Sequence, residues 1–414
     1  MSARHVFTVT VSRQCEEILD RELRRMGLQR IVVEPGAVRF TGRLRDGLRA
    51  CLWSRVGSRV LLRLGRFEAM SADALYAGVA TLPWTDHIPP RGTLRVDFVG
   101  TSNAIRDERF GAQKVKDAIV DTIRRAAGVR PDVDREHPDI TIHVHLRNNI
   151  VTVALDLSGA ALHLRTPRRH AGAAPLKETL AAALLQLADW PRRAAAGDPL
   201  IDPLCGSGTI VLEAAGMAHD VAPGLVRERF GFTRWLGHDP GTWDELVAEA
   251  EERRRIGLDR PVAIEGLDID ESALVAARAN AHQLGLASVR FSRQSLDDLR
   301  PSGTPPGLIV TNPPYGERLD DPAAAIELQR ALGDVLRRHM LGWDAFVLVP
   351  LGPVSRALGL RPRARHPLFN GPIECRLLEV GIAATAPARL VPGHADTEGP
   401  PPTTAPSADD PDKY

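Results

Sequence analysis

The chain reads as an α/β protein in which a mostly parallel, doubly wound sheet occupies the second half and two smaller α/β units precede it. Three observations carry this. Strand and helix patterns alternate over residues 174–382 and close on a hairpin turned by Asn370-Gly371, which suits a parallel sheet with an antiparallel edge. A strand, a glycine-rich turn and a helix follow one another across residues 200–218. The first 65 residues run β-α-β-β-α-β.

Composition bounds the rest. At 414 residues the chain is long enough for two or three domains, each with its own core. Cys15, Cys51, Cys205 and Cys375 lie far apart with no Cys-x-x-Cys pair, so neither an iron–sulfur cluster nor a zinc ribbon is indicated and no metal is expected. No basic-then-apolar leader opens the sequence, and no apolar run nears the ~20 residues of a spanning helix. A cytoplasmic protein without membrane attachment or an obligate protein partner is expected. The net charge of +1 conceals an asymmetry: residues 1–170 carry 28 Lys/Arg against 19 Asp/Glu, and the remainder is acidic. The front half is therefore the candidate polyanion binder.

In order, residues 6–11 alternate as a strand, and 15–26 read as a helix with Ile18, Leu19 and Leu23 on one face, stopped by Gly27. Strands at 31–33 and 37–40, a helix at 44–53 and a strand at 59–64 complete a split-βαβ, ferredoxin-like platform over 1–65. A second α/β unit spans 66–165: helix 72–81, strand 93–99, helix 112–127, and strands 140–147 and 150–156 joined at Asn148-Asn149, two residues that tolerate positive φ. Asn103, Arg106, Arg109, Gln113, Lys114 and Lys116 mix cations and amides near a helix start, a candidate RNA-backbone surface.

A basic connector follows, with Arg165, Arg168, Arg169 and His170, and an apolar helix reaches about Ala188. Then comes Asp202-Pro203-Leu204-Cys205-Gly206-Ser207-Gly208-Thr209. Glycines without Cβ let a ligand meet backbone, the helix behind supplies N–H donors, and Asp202 is placed to accept from a ligand ammonium. Cys205 reads as a packed residue, since no histidine lies near it in sequence. A dinucleotide site wants an acid about twenty residues after the glycines. Here the next strand-end acid is Asp268, in Asp268-Ile269-Asp270, after an aromatic-bearing insertion at 217–261; Asp268 is the candidate acceptor for ribose hydroxyls.

The stretch that sets the chemistry is Leu308-Ile309-Val310-Thr311-Asn312-Pro313-Pro314-Tyr315. A buried β-branched strand stops there, because neither proline donates to a ladder and Pro313 pushes Asn312 out of helical geometry. The Asn312 side-chain oxygen and the Pro313 carbonyl are two acceptors for the hydrogens of a planar amine, and Tyr315 offers a flat face for a ring. Such a clamp aims the nitrogen lone pair at an electrophile and needs no strong base.

The segments Phe98-Val99-Gly100-Thr101-Ser102, Gln113-Lys114-Val115-Lys116-Asp117-Ala118 and Leu157-Ser158-Gly159 resemble a THUMP domain preceded by its ferredoxin-like partner, which implies RNA binding. Residues 174–382 look like a class I S-adenosylmethionine-dependent methyltransferase. The whole resembles the THUMP-bearing guanine-N2 RNA methyltransferases, above all the amino-terminal half of the fused bacterial enzyme of large-subunit ribosomal RNA. That likeness rests on Ala174-Pro175-Leu176-Lys177-Glu178, Asp202 to Thr209, Ala222-Pro223-Gly224-Leu225, Asn312-Pro313-Pro314-Tyr315-Gly316-Glu317-Arg318-Leu319 and Asn370-Gly371-Pro372.

The resemblance implies methyl transfer from S-adenosylmethionine to a guanine N2 amine, with Asn312, Pro313, Pro314 and Tyr315 catalytic. It implies Asp202, Pro203, Cys205, Gly206, Gly208, Thr209, Asp268, Ile269, Ser295 and Asn312 around the donor. Pro175 and Lys177 are further candidates over the donor, and Arg106, Arg109, Lys114, Arg168 and Arg318 are candidates for RNA. The adenine-binding acid of the family falls on Ser295, a departure that leaves Ser295 or Asp297 to fill the slot. A tRNA guanine-N2 enzyme is the nearest competitor. Adenine-N6 DNA and glutamine-N5 release-factor enzymes share the clamp but not the basic front, and a non-catalytic RNA-binding assembly factor is the rival of another class. Residues 166–384 form the expected methyltransferase domain, and 385–414, rich in Pro, Ala, Thr and acid, an expected disordered tail.

Overall fold

A computed structural model describes residues 3–165, 176–301, 306–315 and 322–383. Arg168, Arg169, His170, Pro175, Arg318 and the tail at 385–414 lie outside the described residues.

Alternating apolar and polar residues in the front half build one sheet from both small units. Its strands are β1 (His5–Thr10), β2 (Val32–Glu34), β3 (Ala37–Gly42), β4 (Arg59–Glu68), β5 (Thr93–Val99), β6 (Asp132–Val133), β7 (Ile140–Arg147) and β8 (Ile150–Asp156), in the order β2-β3-β1-β4-β8-β7-β5-β6. The join is an antiparallel pairing of β4 with β8, and the expected boundary at residue 65 falls within β4 itself. Helices α1 (Glu16–Arg25), α2 (Leu44–Trp53), α3 (Ala72–Ala80) and α4 (Glu108–Ala127) belong to this half. Helix α4 starts four residues before its expected position, because the Asp107 side chain accepts from the Phe110 N–H at 2.7 Å and caps it.

The second half holds α5 (Glu178–Leu187), α6 (Trp190–Ala195), β9 (Leu200–Asp202), α7 (Thr209–Ala218), α8 (Pro240–Leu258), β10 (Ile264–Asp268), α9 (Glu271–Leu284), β11 (Arg290–Arg293), β12 (Leu308–Thr311), α10 (Pro322–His339), β13 (Asp344–Pro350), α11 (Pro353–Ala357), β14 (Ala364–Asn370) and β15 (Ile373–Gly381). The strand order is β11-β10-β9-β12-β13-β15-β14. β9 to β13 are parallel, and β15 runs antiparallel between β13 and β14. The order reverses at β9, so the carboxyl ends of β9, β10 and β12 flank a topological switch point.

The insertion fastens one half to the other. Phe230 and Phe232 stack at 5.2 Å, and Trp243 meets both edge-on. From this aromatic knot Arg227 donates to the carbonyls of Ser158, Ala160, Ala161 and Leu164, while Trp235 Nε1 donates to His87 at 2.9 Å. Arg45 and Arg49 of α2 pair with Glu245 and Glu249 of α8, at 2.5 and 3.3 Å. Gly224 explains the Ala-Pro-Gly-Leu signature: a Cβ there would stand 2.8 Å from the Leu52 backbone, so only glycine permits the approach. Beneath lies a buried polar network. Arg165 pairs with Glu213 of α7, Arg55 reaches the same carboxylate at 3.3 Å, and Glu22 accepts from Ser54, the Arg55 N–H and Gln186.

Candidate active site

The parallel register sets the site. Asp202 lies opposite Gly266 on β10, and Leu308 and Ile309 of β12 lie opposite Leu200 and Ile201. Asp202 ends β9, Asp268 ends β10 two residues past that pairing, and Asn312 follows β12. The three sequence-predicted polar residues therefore share the carboxyl edge of three adjacent strands.

The glycine turn is fixed from two sides. The Asp268 carboxylate accepts from the Gly206 N–H at 2.8 Å and the Asp270 N–H at 3.0 Å, and Asn280 Nδ2 donates to the Ser207 carbonyl at 3.2 Å. The two glycines differ in purpose. Gly206, at φ +53°, has nothing within 4 Å of where a Cβ would sit, which leaves its face open to a ligand. At Gly208, φ +83°, a Cβ would stand 3.2 Å from Ala277 and the Phe291 ring, so its absence serves packing. Pro203 and Thr209, the first residue of α7, are buried on either side of the turn.

Asp202 is 2% exposed and accepts from the Leu204 N–H at 3.2 Å. Burial pushes its carboxyl up to about 7, the Thr311 hydroxyl and Leu204 N–H pull it down, and Asp268 adds repulsion. Burial also pushes the Cys205 thiol up, followed by repulsion from Asp202 and Asp268. Its sulfur lies 3.0 Å from where a Gly266 Cβ would stand, so Cys205 is a packed, protonated thiol. Ile269, beside Asp268, is 64% exposed. Ser295 is half-buried two residues past β11, in a segment held to β10 by the Gln294 N–H donating to the Asp268 carbonyl at 3.0 Å, whereas Asp297 is exposed. Lys177, immediately before α5, is exposed.

Asn312 is 8% exposed, and its side-chain oxygen is buried with no hydrogen-bond partner among the described residues. Pro313 is buried beside it and Pro314 half-buried. Tyr315 corrects the expectation of a free stacking face: the ring is 5% exposed, and its hydroxyl accepts from Asn370 Nδ2 at 2.8 Å and lies 3.5 Å from the Cys375 sulfur. Tyr315 thus pins the ledge to the β14–β15 hairpin. Asn370, read from sequence only as a turn residue, is the donor that does so.

Arg106, just before α4, and Arg109, in its first turn, are exposed; Arg106 donates to the Asn103 carbonyl at 3.2 Å. Lys114 sits 4.0 Å from Asp73 and 5.9 Å over the Phe110 ring. Among the described residues no group of three or more His, Cys, Asp or Glu is placed to hold a metal ion, and no helix is long and apolar enough to cross a membrane.

Residues 165–379 match the model of the RMKL-like methyltransferase domain. The chain belongs to that methyltransferase family. In front of the domain, residues 69–156 match the THUMP domain and 7–61 the RlmL ferredoxin-like domain. The chain is 45% identical to the ribosomal RNA large subunit methyltransferase K/L of Methylococcus capsulatus, over 95% of this chain and 53% of that protein. With the enzyme of the same name from Ectopseudomonas mendocina it shares 44% identity, over 92% and 53%. The chain thus spans about half the length of the curated relatives it matches. Among solved structures, SMU.472 in complex with SAH superposes with a TM-score of 0.82 at 28% identity, covering 93% of this chain and all of that one. A predicted N6-adenine-specific DNA methylase of Listeria monocytogenes superposes at 0.81 with 32% identity, covering 91% and 96%.

Proposed function

We propose that this protein transfers a methyl group from S-adenosylmethionine to the exocyclic N2 amine of a guanine in RNA, with large-subunit ribosomal RNA as the substrate. The observation that carries the proposal is the buried Asn312 oxygen, without a hydrogen-bond partner among the described residues, on the same strand edge as Asp202 and Asp268. A buried acceptor without a donor is costly, and an N–H from a bound amine relieves that cost.

The donor, when bound, supplies an electrophilic methyl carbon on a sulfonium. Asp202 would accept from its ammonium, the open face of Gly206 would admit its backbone, Asp268 its ribose hydroxyls, and exposed Ile269 with Ser295 its adenine. Asn312 and the Pro313 carbonyl would each accept one hydrogen of the guanine amine, turning the lone pair toward the methyl carbon. As the N–C bond forms and the S–C bond breaks, the nitrogen becomes acidic and sheds its proton late, so no strong base is needed. Tyr315 holds the ledge rigid through Asn370. Alignment then carries most of the rate, up to about 7–11 kcal/mol in intramolecular precedents.

We assign 1–65 and 66–165 to RNA capture, as the basic charge and the THUMP match support, with 166–384 as the catalytic domain and 385–414 as a tail. The deciding experiment incubates the purified chain and labelled donor with unmodified ribosomal RNA, tRNA and DNA, then identifies the methylated nucleoside by mass spectrometry. N2-methylguanosine in large-subunit RNA is expected. N2-methylguanosine confined to tRNA transfers the assignment to the tRNA reading, and N6-methyladenine or no product defeats it.

A further inference from the structure

The front sheet has two unlike faces. On one, Phe7, Phe67 and Phe98 pack against Gly47 of α2, Gly78 of α3 and Gly111 of α4, so the helices cover it. The other carries a cleft of about 600 Å³ with arginine and histidine along its walls. Two cross-strand rungs define it: Arg63 of β4, Ala154 of β8 and His143 of β7 in one, and Arg66, Thr152 and His145 in the next. Each sets a cation and an imidazole on either side of a small residue, and Arg39 of β3 and Arg147 at the end of β7 extend the walls.

A backbone irregularity makes this pattern possible. Side chains alternate across a strand, so Leu62 and Arg66 would otherwise point the same way. The register of β4 against β8 shifts between Arg63 and Gly65. Leu62 and Phe67 consequently both face the helix side, and Arg66 joins Arg63 on the open side. A bulge that puts a second guanidinium beside the first raises repulsion unless an anion lies between them. Among the described residues the only acid lining the cleft, Glu34, is paired with Arg39 at 3.0 Å, and Arg63, Arg66 and Arg147 have no ion pair. Burial, then repulsion from Arg39 and Arg66, lowers the Arg63 guanidinium's proton affinity.

We infer that this cleft binds an unpaired RNA strand, with the arginines on its phosphates and His143 and His145 beneath its bases. The inference rests on the RNA reading above and adds a second surface, on the opposite face of the sheet from α4. A sheet face with small residues on its floor and rings to stack on is a platform for unstacked bases, whereas an A-form duplex presents few base edges to it.

The test uses the full chain with Arg63→Gln, Arg66→Gln and Arg147→Gln combined, and the three Arg→Lys changes as a charge-keeping control. Binding of a fluorescent unstructured 12-mer RNA is followed by anisotropy across a salt series. The Gln variant should bind about tenfold or more weakly at low salt, with the log–log salt slope reduced by about 2, and the Lys variant should recover most of the affinity. KM for substrate RNA should rise in the Gln variant while kcat at saturating RNA and donor affinity stay unchanged. An unaltered slope and KM would overturn the cleft, as would poly-glutamate displacing the RNA at equal charge, which marks an acidic-protein site. Wild type that methylates RNA while the Gln variant keeps its KM overturns the cleft alone. Cleft-dependent binding by a wild type that methylates no RNA overturns the methyl-transfer reading alone.

Discussion

Gly206 and Asp268 stand 62 residues apart in sequence and are joined by a 2.8 Å hydrogen bond from the glycine N–H to the carboxylate. The candidate ribose acceptor is therefore also the strut of the glycine turn, and its second oxygen is held by the Asp270 N–H. Asp268→Ala should weaken donor binding about tenfold to a hundredfold, since two backbone donors lose their acceptor along with the ligand's hydroxyls. Asp268→Asn should fall between, because one amide oxygen cannot serve both sides. Calorimetric titration with S-adenosylhomocysteine measures this; an unchanged affinity removes Asp268 from the pocket.

Asn312→Ala separates chemistry from binding. Its oxygen has no hydrogen-bond partner to lose among the described residues, so the fold should tolerate the change and donor affinity should stay within about twofold. Turnover should fall on the order of a hundredfold to a thousandfold, the usual scale for removing one aligned polar group from a reacting centre. Single-turnover methylation beside donor titration reads both; parallel loss of the two contradicts the clamp.

Asp202 gives a pH signature. Its folded-state carboxyl lies near 7 against an ordinary 3.8, chiefly through burial, so the native state holds this proton more tightly than the unfolded state. That contribution to stability is present at low pH and is lost as pH rises from 3.8 to about 7. A donor ammonium wants the carboxylate, so donor affinity should run the opposite way. It should improve by up to about tenfold per unit below about pH 7 and level off above. Asp202→Asn should flatten the profile and weaken binding throughout.

Much of this was legible in the sequence, for identifiable reasons. β5, β7, β8 and α2 match their expected spans because alternation or helical period runs unbroken to a turn or cap. That Asp202, Asp268 and Asn312 share one strand edge was legible because each ends or directly follows an apolar strand. β4 was expected to stop at Leu64; instead the chain bulges between Arg63 and Gly65 and continues to Glu68, because its pairing with β8 comes from residues 150–156, remote in sequence. The insertion's work was illegible, because its partners are remote: Arg45 and Glu245 are separated by 200 residues. Tyr315 was assigned a free face because nothing local announces that Asn370 takes its hydroxyl.

The buried pair of Arg165 and Glu213 should be the point at which the two halves are most easily broken. Arg165 is 5% exposed and Glu213 7%, and burial lowers the guanidinium to about 9. Removing one member leaves an unmatched charge in a dry interface, so Glu213→Ala should cost about 3–5 kcal/mol, read by urea denaturation. Replacing both by apolar residues of similar size, Arg165→Met with Glu213→Leu, should recover most of that loss, because the desolvation penalty disappears with the charges. Glu213 sits on α7, the helix that begins directly after the glycine turn, so the single variant should also weaken donor binding while the double variant restores it. For the same reason, a fragment lacking residues 1–165 should aggregate: it would strip Arg55 and Arg165 from Glu213 and uncover Ala222 and Phe232, which are buried in the shared core. A soluble, cooperatively folding fragment would show that the catalytic sheet does not depend on the front half.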